Sequence, residues 1–174
     1  MIEIKITKEH LEIAKYKAND LGKLRNSIRE GKGNLVGFLG EIITAEYYKW
    51  EIKNSDVINY DYDLMYKNYK IDVKTKERTV IPAKNYFATI ANFNTRQDCN
   101  YYFFVSICNF EYAYLMGMIK KEDFYKKAIF NKKGDIDKSS PPHFPFYFKT
   151  DCYNLEYSKL FPADKIKRNI CLNV

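Results

Sequence analysis

From Thr7 to Glu30 the apolar residues Leu11, Ala14, Ala18, Leu21, Leu24 and Ile28 recur at steps of three and four, the spacing that lines one face of an α-helix. Thr7, followed by Glu9 and His10, supplies a helix start. Lys15, Lys17, Lys23, Arg25 and Arg29 fall on the polar side, a row that reads first as a solvated face and second as a backbone-phosphate contact. Gly31-Lys32-Gly33 breaks this pattern. Asn34 can cap a second helix predicted to reach about Lys49, with Val36, Leu39, Ile43 and Tyr47 along one side.

Beyond Lys49 the period shortens to that of strands. Asp56 to Tyr60, Tyr62 to Tyr66 and Tyr69 to Thr75 read as β segments, the last two joined by Lys67-Asn68 in a tight hairpin turn. Asn85 to Ala91 alternates Tyr86, Ala88 and Ile90 with Phe87 and Thr89, and its periodicity fits a strand or a short helix. After the polar break Asn92 to Asn100, Tyr101 to Ile107 is continuously apolar, as a central strand covered on both faces must be. Tyr112 to Ile119 should pair beside it, with Gly117 as a bulge or close-approach point. A short helix at Lys121 to Ala128, a polar loop from Asn131 to Pro145, a short strand around Phe146 to Phe148 and a helical turn near Leu155 to Leu160 complete the prediction. Neither a repeat nor a linker divides the chain, so one domain over 1–174 is expected. Its class is α/β (α+β), a sheet with helices packed on it.

Composition sharpens this picture only in part. A chain of 174 residues with 46% hydrophobic content can bury its own core. The net charge of +7 favours a polyanionic partner without naming it. The 16 tyrosines could stack on bases or simply pack, and a Lys-, Asn-, Ile- and Tyr-rich composition also follows from AT-rich coding. Cys99, Cys108, Cys152 and Cys171 form no CxxC pair and are accompanied only by His10 and His143, which argues against zinc and for free thiols in a reducing compartment. No apolar leader core follows Met1 and no apolar run is long enough for a bilayer, so the expectation is a cytoplasmic protein without a membrane partner.

The candidate chemistry lies in Ile71-Asp72-Val73-Lys74-Thr75. In a strand the aliphatics anchor one face while Asp72 and Lys74 emerge together on the other. An isolated strand of this kind is also what a surface ion pair on a sheet edge looks like. Asp63, nine residues earlier across the Lys67-Asn68 turn, would come to lie beside Asp72. Asp61 competes with it for that role, but the turn phases Asp63 with Asp72. Glu41 follows Gly40, whose missing side chain would let the second helix approach the sheet. Carboxylates so placed can hold Mg²⁺, with the Val73 carbonyl as a further ligand and the Lys74 amine beside an attacking water.

The order Glu41, Asp63, Asp72-Val73-Lys74 resembles the PD-(D/E)XK nuclease superfamily, in particular small phage-encoded or restriction-type members. Tyr62 stands where the motif's name has Pro. The likeness covers roughly Asn34 to Ile107. It implies a restriction-endonuclease-like central mixed sheet flanked by helices, an αβββαβ core with an extra N-terminal helix here. It further implies hydrolysis of phosphodiester bonds in DNA with Mg²⁺, for which Mn²⁺ substitutes, by an endonuclease in preference to an exonuclease or junction resolvase. Glu41, Asp63 and Asp72 would bind metal with Val73, and Lys74 would complete the catalytic set. DNA is the implied partner, a homodimer is a form that small members often take, and a prokaryotic cytoplasm, with the chain cell- or virus-encoded, is the implied setting. Lys76, Arg78, Lys84, Arg96 and Gln97 are the candidate nucleic-acid contacts. The alternative is a nuclease-like module that binds nucleic acid without cutting it.

Overall fold

The computed structural model describes residues 1–21, 34–52, 61–137, 140 and 143–166. The predicted continuation of the first helix to Glu30, the Gly31 to Gly33 break, the strand at Asp56 to Tyr60 and Cys171 lie outside them.

Helix α1 (Lys8–Leu21) begins where Thr7 predicts. The Thr7 hydroxyl accepts the His10 N–H at 3.1 Å, and His10 Nδ1 accepts the Thr7 N–H at 3.2 Å. This is a capping box with an imidazole in the place usually held by Glu or Gln. With Nδ1 accepting, Nε2 carries the proton, and it faces Glu46 at 2.8 Å on α2 (Asn34–Tyr48). The cap residue of one helix therefore also ties it to the next. Helix α2 ends at Lys49, whose φ of 58° is left-handed, and the Trp50 N–H closes back on the Ala45 carbonyl at 3.0 Å.

The main sheet contains β1 (Ile2–Lys5), β2 (Glu51–Ile52), β3 (Leu64–Tyr66), β4 (Tyr69–Arg78), β6 (Tyr101–Cys108), β7 (Tyr112–Lys120) and β10 (Phe161–Pro162). Its order is β1-β7-β6-β4-β3-β2, with β10 also on β7. Every pairing in it is antiparallel except β4 with β6. A second sheet runs β5 (Phe87–Ala91), β9 (Cys152–Glu156), β8 (Ile129–Asn131).

Strand β6 explains the layering. Tyr101, Phe103, Val105 and Ile107 join the core shared with Leu39 and Ile43 of α2, and Tyr102, Phe104 and Cys108 join a second core with Ile90, Leu155 and Phe124. Phe124 belongs to α3 (Lys121–Lys127). Helices α1 and α2, the main sheet, and the small sheet with α3 thus form three layers, and all eight residues of β6 are buried. That double coverage is why its sequence is apolar on both faces save for Ser106, whose hydroxyl is bonded to the Tyr157 hydroxyl.

Gly117 meets both parts of its expectation. The β6–β7 register slips between Phe104 and Val105, and at φ 149° a Cβ on Gly117 would lie 2.2 Å from the Phe161 carbonyl oxygen of β10. The Lys67-Asn68 turn forms, with Lys67 at φ 54°. Asn85 to Ala91 resolves to strand β5.

Other segments depart from prediction. Phe146 to Phe148 makes only a bridge, Tyr147 to Ile136, and the strand follows later as β9. Leu155 falls within β9, leaving Tyr157–Lys159 as a 3-10 turn. Strands β1, β2, β8 and β10 were not legible, being two to four residues long. Between the parallel strands β4 and β6, where an αβββαβ order puts a helix, the chain has β5 and the 3-10 turn Asn92–Arg96. The architecture is mixed α/β of the α+β kind. Among the described residues no helix is long and apolar enough to cross a membrane, and Cys99, Cys108 and Cys152 are buried free thiols.

Candidate metal centre

The centre forms on β4 just past the end of its ladder with β3. Strand β3 pairs with β4 only to Leu64↔Ile71, and the ladder closes with the Asp63 N–H donating to the Ile71 carbonyl at 3.0 Å. One step further Asp63 falls opposite Asp72, as the turn predicted. Its carboxylate then continues the ladder in place of a backbone acceptor, Oδ2 accepting the Val73 N–H at 2.7 Å. In a strand the N–H and C=O of one residue face the same edge, so the Val73 carbonyl shares the Asp63 side. Asp61 goes elsewhere, accepting the Asp98 N–H at 3.2 Å. The structure brings Asp63, not Asp61, to Asp72.

Asp72 and Lys74 share the face of β4 turned away from α2. The Lys74 Nζ lies 2.7 Å from Asp72 Oδ2, with the two side chains 19% and 3% exposed. This is a buried pair, not the surface pair that an isolated edge strand would carry. The amine contacts Oδ2 outside hydrogen-bond geometry, so that oxygen has an ionic neighbour but no aligned donor. Oδ1 accepts from Gln97 Nε2 at 2.8 Å.

Gln97, expected as a nucleic-acid contact, is therefore a neighbour of the acids. It follows the Asn92–Arg96 turn, its N–H bonds the Asn94 carbonyl at 3.1 Å, and its own carbonyl accepts Lys121 Nζ. The signal that could have placed it is its position just before β6, since a parallel neighbour of β4 brings the residues preceding Tyr101 alongside those preceding Ile71, near the start of the strand that carries Asp72.

Glu41 arrives from the helical layer. A Cβ on Gly40 would stand 1.9 Å from Thr75 Oγ1, so α2 runs against β4 at backbone distance there. Burial pushes the Glu41 carboxyl up to about 7; the Lys17 ammonium opposes this, Asp72 adds to it and Lys74 opposes it. Burial also holds Asp63 well above the usual carboxylate range, reinforced by Glu41 and Asp72 and opposed by Lys74 and the Val73 N–H. For Lys74 burial acts to lower the pKa, but Asp72 and Asp63 outweigh it and the ammonium is held above its ordinary value. Like charges in a shared dry site destabilise their ionised forms, and here three acids face a deficit of positive charge.

Glu41, Asp63, Asp72, Val73 and Lys74 are thus brought together. The acids are neighbours rather than a closed cage: among the described residues no three His, Cys, Asp or Glu side chains converge as a preassembled ligand group. Of the other candidates, Lys76 is exposed, with Nζ 3.5 Å from Thr89 Oγ1 of β5. Arg78 is committed within the protein, Nε to Ser106 Oγ at 3.2 Å and the guanidinium 4.8 Å from the Tyr86 ring centre. Lys84 and Arg96 are exposed, and among the described residues no contact joins them to the acids. Neither a scan against protein-family models nor a search of the curated proteins finds a match to this chain.

Proposed function

We propose that this protein is a Mg²⁺-dependent nuclease that hydrolyses phosphodiester bonds in DNA, most simply as an endonuclease, built on a restriction-endonuclease-like core of α2, the β3–β4 hairpin and β6. The observation that carries the reading is the juxtaposition of Glu41, Asp63 and Asp72 around the buried Lys74, with two of the acids held far above their ordinary pKa by burial and mutual repulsion. The helix missing between β4 and β6 is the departure from the αβββαβ order, and β5 with its following turn fills that place by delivering Gln97.

The residues fit a hard, oxygen-ligated cation. Three carboxylates, among them the Asp72 oxygen whose neighbour is the Lys74 ammonium, and the Val73 carbonyl on the Asp63 side of β4 are oxygen donors of the kind Mg²⁺ takes. Glu41, Asp63 and Asp72 would hold the ion, with the Val73 carbonyl beside them. Bound there, Mg²⁺ or Mn²⁺ supplies Lewis-acid polarisation of the phosphate and a more acidic water.

The chain's own groups do the rest. Lys74, in contact with Asp72, would orient or help deprotonate the attacking water and offset charge growing on phosphate oxygens. Gln97 fixes the Asp72 carboxylate through Oδ1, while Oδ2 faces the Lys74 ammonium. Asp63 is oriented by the Val73 N–H.

The test is incubation with single-stranded, duplex and branched DNA in Mg²⁺, Mn²⁺ or EDTA, beside Asp72→Ala and Lys74→Ala. The expected outcome is metal-dependent cutting by the wild type alone. Cutting that survives both substitutions refutes this site, and binding without cutting of any substrate moves the protein to the non-cutting reading.

A further inference from the structure

One cation near the acids belongs to none of the elements that carry them. Lys17 lies in the penultimate turn of α1 and is half-buried, although the sequence pattern puts it among the solvated lysines. Its Nζ stands 5.9 Å from the centre of the Phe38 ring on α2. Phe38 and Glu41 are three residues apart in a helix and so share a face, one turn from each other. The ring therefore holds the ammonium over the turn that carries Glu41. Lys17 is also the largest charge acting on the Glu41 carboxyl, ahead of Asp72 and Lys74.

Two features separate this lysine from a structural counter-ion. Among the described residues it makes no ion pair within 4.0 Å, whereas Lys74 is in contact with Asp72 at 2.7 Å. Half-burying a lysine costs side-chain entropy and hydration, and a ring contact of this length returns only about 1 kcal/mol. An ammonium held near a carboxylate cluster, yet out of contact with it, is placed for an anion that arrives with the ligand. It also lies on the helical side of Glu41, whereas Lys74 lies on the strand side.

We propose that Lys17 is a substrate-contact residue of this centre, its ammonium binding a backbone phosphate of the nucleic acid on the α1 side of Glu41. The inference rests on the nuclease reading and adds to it a second point of phosphate contact, so that the strand is held on both sides of the acids. Such a contact contributes counterion release and shows itself in salt dependence, which a lysine acting only within the protein does not alter.

Lys17→Met keeps the stem that covers Phe38 and removes the charge; Lys17→Arg keeps the charge. Both are compared with wild type by thermal melting, by DNA binding in Ca²⁺ over a salt series, and by cutting in Mg²⁺. The expected result for Lys17→Met is an unchanged fold, a Kd and KM for DNA raised about three- to ten-fold, and a slope of log K against log salt smaller by about one, all restored by Lys17→Arg. An unchanged slope and Kd in Lys17→Met, with the wild type cutting, overturns the role of Lys17 and leaves the nuclease reading intact. Weaker Mg²⁺ binding without change in the salt slope also overturns it, assigning Lys17 to the support of Glu41. A wild type that neither cuts nor binds any DNA overturns both.

Discussion

Gly40 of α2 and Thr75 of β4 approach so closely that a Cβ on the glycine would lie 1.9 Å from the threonine Oγ1. This contact sets the height of α2 over the sheet and so the reach of Glu41. Gly40→Ala gains about 1 kcal/mol in helix propensity, but Thr75 Cβ and Cγ2 would also stand at 3.0 Å, so turning the hydroxyl away does not relieve the site. The overpacking term of about 1–3 kcal/mol wins. Gly40→Ala is expected to lower stability in urea unfolding and to reduce cutting. Gly40→Ala combined with Thr75→Ala should be less destabilised than the sum of the two single changes; simple additivity would show that the contact does not position the helix.

Asp72→Asn keeps the shape of the side chain and the acceptor for Gln97 while removing the charge. Cutting is expected to fall by about a hundred-fold or more with a circular-dichroism melt close to wild type. A variant that retains near-full Mg²⁺-dependent cutting removes Asp72 from the site.

Gln97→Leu removes the only hydrogen bond found at Asp72 Oδ1 among the described residues. Loss of an outer partner that orients a ligand weakens metal binding by about ten- to a hundred-fold. Calorimetric titration with Mn²⁺ should show that loss. An unchanged affinity would return Gln97 to the role of a nucleic-acid contact.

The pH dependence of the metal-free protein follows from the direction of the shifts. Glu41 has its folded pKa raised to about 7 and Asp63 is raised as well, so folding favours their protonated forms. Their contribution to stability is present below the ordinary carboxylate pKa and is lost as pH rises through about 7. With EDTA the melting temperature should therefore fall between about pH 5 and about pH 8. Mg²⁺ should raise it at the higher pH and have little effect at the lower. Equal stabilisation by Mg²⁺ at both ends would count against a carboxylate cluster as its site.

What could be read from the residues alone was the part held by local rules. The β3–β4 hairpin announces itself through Lys67-Asn68 between two alternating runs, β6 through an apolar stretch with no polar face, and the Gly40-Glu41 step through a glycine inside a helical pattern. The Gln97 bond to Asp72 is less legible, because it depends on β4 and β6 being parallel neighbours, a non-local pairing. Lys17 lies half-buried against Phe38, and helical periodicity locates a face, not the neighbour lying over it. Tyr86 and Tyr157, which flank strands of the second sheet, cover the Arg78 guanidinium, and the local sequence around Arg78 does not announce them. Short strands such as β1 and β10 exist only because β7 offers them an edge, and their few residues carry too little pattern to be recognised.

The parallel pairing of β4 with β6 also sets the order in which the protein becomes complete during synthesis. Asp72 is fixed by a register that starts at Ile71↔Tyr101, and Gln97 is held in turn by Lys121. A nascent chain that has released Glu41, Asp63, Asp72 and Lys74 still lacks the strand that braces β4 and the lysine that braces Gln97. The acids are made early and assembled late. For a protein with the activity proposed here, that delay keeps the emerging polypeptide inert towards nucleic acid until the segment through Lys121 has left the ribosome.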